Sequence, residues 1–165
     1  MLALLLAAAS PSRAEAGEAL ALLVHAQWSG IESLSIPVLR QIYLGRRTRL
    51  AGRQVLCTDL PAGSLARTAF AREVLRLDER ALDRYWLRQA LAGGPPPPRE
   101  VDTAAAVIAR VAEVPGAIGY VPWRVVSSGP PEGTRILPLA VDGRLLAPAD
   151  PAYPLRLPQV VEPAS

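Results

Sequence analysis

The sequence predicts an α/β sandwich with a mostly parallel central sheet, and three observations carry that expectation. The apolar run at 19–26 lacks the alternation of a half-solvated strand, which suits a strand buried on both faces, while 54–58 reads as a second buried strand and 117–121 as a short strand. Between them lie stretches whose apolar residues recur at helical spacing and whose ends carry capping residues. Strands and helices therefore alternate along the chain, the pattern of helices packed on a parallel sheet.

The first strand is expected over Ala-Leu-Ala-Leu-Leu-Val-His-Ala, residues 19–26. Ser35, Ile36 and Pro37 then offer an N-cap with proline in the first turn, and Val38, Leu39, Ile42 and Tyr43 hold helical spacing until Gly45. Residues 46–53 read as a polar turn before the second strand. Pro61-Ala62-Gly63-Ser64 opens another helix, with Ser64 as its cap and Ala66, Phe70, Val74 and Leu77 on its apolar face. Asp78 caps a further helix with a Leu82, Trp86 and Ala90 stripe, stopped by Gly93-Gly94. The Pro95–Pro98 run is a stiff connector. Asp102 is expected to cap a helix through Val107, Val111 and Val114, ended by Pro115-Gly116. A strand over 117–121 follows, and its glycines imply close backbone approach. Residues 136–141 read as another strand, with Asp142-Gly143 as a hairpin turn.

Composition limits the classes of function. The 165 residues are 50% hydrophobic with a net charge of +3, as expected for one globular domain. One histidine and one cysteine exclude a His-rich or Cys-rich metal site and any intrachain disulfide. The apolar run Leu2–Ala9 is too short to cross a bilayer, which takes about 20 residues in a helix. It is followed by Ala14-Glu15-Ala16, a small-x-small pattern that marks 1–16 as a signal peptide and the protein as periplasmic, although no basic residue precedes the run. The expected organisation is a leader over 1–16, an α/β domain over 17–147 and a proline-rich surface tail over 148–165. Cys57, inside an apolar run, is expected to be buried.

Four segments carry a family resemblance: Ser33-Leu34-Ser35 through Arg40-Gln41-Ile42-Tyr43-Leu44-Gly45, the Gly63-Ser64 turn with Phe70 behind it, Tyr85-Trp86, and Pro115-Gly116-Ala117-Ile118-Gly119-Tyr120-Val121. On these the chain resembles the phosphate ABC-transporter substrate-binding proteins. Tyr153-Pro154-Leu155 is similar to the Tyr-Pro-Leu that precedes the family's final strand. The resemblance implies a type II periplasmic-binding-protein-like lobe, non-enzymatic, with its ligand in a cleft between two lobes. It also implies that the first lobe, which supplies further phosphate contacts in full-length members, is largely absent from this sequence. No cofactor is implied.

In that family a serine, glycine and threonine at a helix N-terminus grip the phosphate, where unpaired first-turn amides and the macrodipole favour an anion. Here Gly63 and Ser64 align with that motif. Leu60 stands where the arginine would be, Leu65 replaces the glycine and Ala66 the threonine. Arg67, one turn on, would return a guanidinium fork. The candidate ligand-binding residues are thus Gly63, Ser64, Leu65 and Arg67, with His25 near the implied hinge. Each has a plainer reading: Ser64 as a helix cap, Arg67 as a solvated surface charge and His25 as a structural residue at a strand end. The implied partners are phosphate or a similar oxyanion, an ABC-transporter permease or other envelope protein, and a second copy of the chain.

Two arginine groupings stand apart from this motif. Arg40, Arg46, Arg47, Arg49 and Arg53 form a patch without an acid, yet no nucleic-acid motif accompanies it. Arg72, Arg76, Arg80, Arg84 and Arg88 recur every four residues, and interleaved Glu79 and Asp83 suggest a salt-bridged, solvated face. An enzyme is not indicated, because Ser64 lacks a nucleophile-elbow setting and His25 is the sole imidazole. The main rival to oxyanion binding is a lobe that kept the scaffold, lost the site and acts as a protein-interaction module. The erosion at Leu60, Leu65 and Ala66 favours that rival.

Overall fold

The strands buried on both faces form the middle of a five-stranded mixed sheet in the computed structural model, which describes residues 17–159. The expected signal peptide over 1–16 and the last residues of the expected tail, 160–165, lie outside the described residues. The strands are β1 (Leu20–His25), β4 (Leu56–Asp59), β5 (Arg99–Glu100), β6 (Ala117–Pro122) and β7 (Thr134–Leu137), in the order β5-β4-β6-β1-β7. β4 runs parallel to both β5 and β6, whereas β1 is antiparallel to β6 and β7. Four strands therefore share one direction and β1 opposes them. Residues 20–24 of β1 and the whole of β6 are buried, which explains their continuous apolar sequences. A Cβ on Gly119 would come within 2.5 Å of Val107, so the glycine admits the helix packed against β6.

Helix α1 (Ile36–Tyr43) begins where Ser35 Oγ accepts from the Val38 amide, and it buries Leu39, Ile42 and Tyr43. The segment expected as a turn over 46–53 instead forms, together with Gln54, a short hairpin of β2 (Arg49–Leu50) and β3 (Arg53–Gln54). Helix α2 (Leu65–Phe70) does not continue as α-helix through Leu77. It widens into a π turn over Ala71–Leu75 and stops at Arg76, whose φ is 60°. Val74 and Leu75 of this turn are both buried in the core.

Helix α3 (Glu79–Leu91) starts at Asp78 as expected, with Oδ1 accepting from the Ala81 amide at 2.7 Å. Its buried face is Leu82 and Tyr85, with Trp86 only half-buried. Helix α4 (Ala104–Glu113) is capped by Thr103 in place of Asp102, because the Thr103 hydroxyl reaches the Ala106 amide. The strand expected over 136–141 divides at Pro138, which has no amide hydrogen to give a ladder. β7 stays in the main sheet, and β8 (Leu139–Val141) pairs with β9 (Arg144–Leu146) across Asp142-Gly143.

Part of the segment expected to run along the surface instead belongs to the core. Tyr153 and Leu155 are buried, the Tyr153 hydroxyl donates to Leu20 O at 2.9 Å, and the Leu20 amide donates to Leu155 O. This part of the chain closes the start of β1.

Candidate functional site

At the carboxyl end of β4 the chain leaves the sheet through Leu60-Pro61-Ala62 and turns into α2. Gly63 takes a φ of +81°, a left-handed conformation that glycine adopts without strain. Ser64 then caps α2, its Oγ accepting from the Arg67 amide at 3.2 Å and its carbonyl from the Thr68 amide at 2.9 Å. The Ser64 amide donates back to Pro61 O, and the Ala62 amide donates to Glu100 Oε2 at 3.3 Å. Leu65 is 58% exposed and projects away from the core. The cap geometry forms as expected, but a carboxylate from the neighbouring edge strand β5 already holds one amide of the turn.

Arg67 is not the surface charge of the plainer reading. It is 9% exposed, and its Nη1 lies 2.9 Å from Asp59 Oδ2 and donates to Leu60 O at 3.1 Å. Glu100 Oε2 stands 3.8 Å from the same nitrogen and Glu79 Oε1 4.0 Å from Nε. One guanidinium thus faces three carboxylates. The other oxygen of Asp59 accepts from the Leu60 amide and from the Tyr120 hydroxyl. Tyr120 stacks on Phe70 with ring centroids 4.0 Å apart, and Tyr43 leans on Phe70 at 4.6 Å. The aromatic wall removes water from the pair, so the Arg67–Asp59 attraction acts in a low dielectric and each partner depends on the other.

Burial holds the Asp59 carboxyl above the ordinary range, against the opposing pull of Arg67 and the Tyr120 hydroxyl. Burial, and then the neighbouring Asp59, pushes the Tyr120 phenol up, which keeps it a proton donor. Asp59 and Tyr120 were not among the expected site residues. The signal for Asp59 was an acid closing an otherwise apolar strand, since such a group needs a cation or several donors.

The structure does not bring His25 to this turn. Val24 is level with Ile118, and Ile118 is level with Cys57. From that level β4 continues toward Asp59, whereas antiparallel β1 runs the other way. His25 therefore sits at the opposite end of the sheet, paired with Thr134, and its Nδ1 accepts from the Gln27 amide. Cys57 is half-buried, and burial pushes its thiol up. Among the described residues, no group of three or more potential ligands could hold a metal ion, and no helix is long and apolar enough to cross a membrane.

No protein-family model matches the sequence, and no curated protein matches it. Solved structures match the fold. A putative phosphate ABC-transporter substrate-binding protein with bound phosphate from Clostridium perfringens aligns over 78% of this chain and 46% of its own, at 18% identity and a TM-score of 0.59. An ABC-type phosphate transport receptor from Vibrio cholerae aligns over 78% of this chain and 49% of its own, again at 18% identity and 0.59. A high-affinity periplasmic phosphate-binding protein, PfluDING, bound with phosphate, aligns over 81% of this chain and 41% of its own at 15% identity and 0.59. The chain spans less than half the length of each of these proteins. At these identities the likeness is one of architecture, and the chain has a periplasmic-binding-protein-like α/β fold.

Proposed function

We propose that the chain is a non-catalytic lobe of the solute-binding type that works by presenting a surface to an envelope partner, its oxyanion turn being neutralised from within. The carrying observation is the state of Arg67. A guanidinium that holds an anion needs a net positive surround, and Arg67 gives Nη1 to Asp59 and Leu60 within a group of three carboxylates, its Nε being buried beside Glu79 without a hydrogen-bond partner. Exposed Leu65, standing where the resemblance implies glycine, adds an apolar contact better suited to a protein surface than to phosphate. A transporter permease or another envelope protein is the class of partner that the fold suggests.

The second reading is phosphate or a similar oxyanion at Gly63, Ser64, Leu65 and Arg67. It is favoured by the Gly63-Ser64 cap geometry and by neighbours of the same fold that hold phosphate. Titration calorimetry with inorganic phosphate separates the two. The interaction reading expects no saturable heat from the chain, and weak binding at most after Glu100→Gln frees the Ala62 amide. Micromolar binding that Ser64→Ala or Arg67→Met abolishes would establish the second reading instead.

A further inference from the structure

The two arginine groupings of the sequence meet in space. The end of α1 with the turn after it, Leu75 and Leu77, and α3 as far as Arg88 border an open cavity of about 360 Å³ whose wall includes Arg40, Arg46, Arg84, Arg88 and Tyr85. No acidic residue lines it. Among the described residues these four arginines enter no ion pair. The salt-bridged face expected for Arg84 and Arg88 has not formed, since Glu79 turns toward Arg67 and Asp83 is in no ion pair.

Two of the four guanidinium groups are held in place. Arg40 Nε donates to Val74 O at 2.6 Å, which orients the rest of the fork. Arg46 lies over the Tyr85 ring, 5.7 Å from its centroid, and Tyr85 is fixed by its hydroxyl donating to Leu44 O at 2.6 Å. Arg84 and Arg88 stand one helical turn apart on α3 and are exposed. Four like charges around one concavity repel each other, and holding two of them reduces the ordering cost of a ligand.

We propose that this cavity binds a compact phosphoryl-rich anion carrying two or more phosphate groups. Guanidinium forks match phosphate edges in geometry, and several of them match a ligand with several charges better than a single orthophosphate. A volume of about 360 Å³ is that of a small-molecule site. Arg46 lies over the ring of Tyr85, the one aromatic residue lining the cavity, and so competes with any nucleobase for that face. The site is separate from the α2 turn and does not depend on how that turn is read.

The test uses the full chain at low ionic strength, with inorganic pyrophosphate, tripolyphosphate and orthophosphate as probes in calorimetry and thermal unfolding. Saturable binding of the two condensed phosphates, tighter than orthophosphate, is expected. Arg84→Gln/Arg88→Gln should weaken it roughly tenfold or more, through loss of charge-assisted bonds. Without ligand the double variant should unfold at or above the temperature of the parent, because repulsion is relieved. Ser64→Ala should leave condensed-phosphate binding unchanged, so failure here and failure at the α2 turn are distinguishable. In flotation with vesicles, capture by phosphoinositide but not phosphatidylserine membranes, competed by tripolyphosphate, would place the phosphates on a lipid headgroup. Binding of the soluble probes alone would place them on a free solute. The proposal is overturned if the parent shows no saturable binding up to about 1 mM probe, or if the double variant binds as tightly as the parent.

Discussion

Arg67 and the Arg84–Arg88 pair carry the same side chain a short way apart on adjoining elements, and their surroundings are opposite. Arg67 is buried with Asp59 at 2.9 Å and two further carboxylates within 4.0 Å, whereas Arg84 and Arg88 are exposed beside two more arginines and no acid. A motif position and an available charge are therefore different things. The arginine next to the resemblance-bearing turn is surrounded by carboxylates, and Arg84 and Arg88, outside that motif, enter no ion pair among the described residues.

The largest effect is expected at the buried arginine. Arg67→Met leaves Asp59 without its cation in a dry setting and should cost about 3–5 kcal/mol in urea unfolding. Adding Asp59→Asn to that variant should recover most of the loss, since the Leu60 amide and the Tyr120 hydroxyl keep an acceptor. Equal destabilisation of the single and double variants would show that Arg67 matters through packing alone. Next in size, Ser64→Ala removes the α2 cap and should cost about 1 kcal/mol by thermal unfolding.

A pH titration sharpens the same contrast. Folding raises the Asp59 pKa, so the native state holds a proton that the unfolded chain releases between the ordinary carboxylate value and the raised one. The stability from this group is full below that window and lost as pH rises through it. Unfolding measured across about pH 4 to 7 should therefore fall more steeply with pH for the parent than for Asp59→Asn. Glu100→Gln, at a half-exposed side chain, should change stability by less than about 1 kcal/mol. The smallest effect is expected at the exposed pair, where Arg84→Gln/Arg88→Gln should shift unliganded stability by no more than about 0.5 kcal/mol, and upward.

Much of the fold was legible in the sequence because its signals are local. The caps at Ser35, Ser64 and Asp78 act within three residues, and the runs that became β1 and β6 are apolar throughout because both faces are covered. The candidate site was less legible because its partners come from distant elements. Glu79 reaches Arg67 from α3 and Glu100 from β5, so no spacing in the sequence announces that Arg67 is taken. The placement of His25 failed for a topological reason. A strand's direction relative to its neighbours decides which end of the sheet its last residue occupies, and the antiparallel setting of β1 was not encoded in its own residues. The π turn over Ala71–Leu75 likewise had no signal in the sequence, since Val74 and Leu77 keep α-helical spacing with Phe70.

The docking of Tyr153 on β1 joins residues 133 positions apart, and Leu155 meets the same Leu20. A chain shortened before Tyr153 would keep the β1 ladders to β6 and β7 yet leave both the amide and the carbonyl of Leu20 without these partners, so the segment acts as a clasp at the start of the central strand.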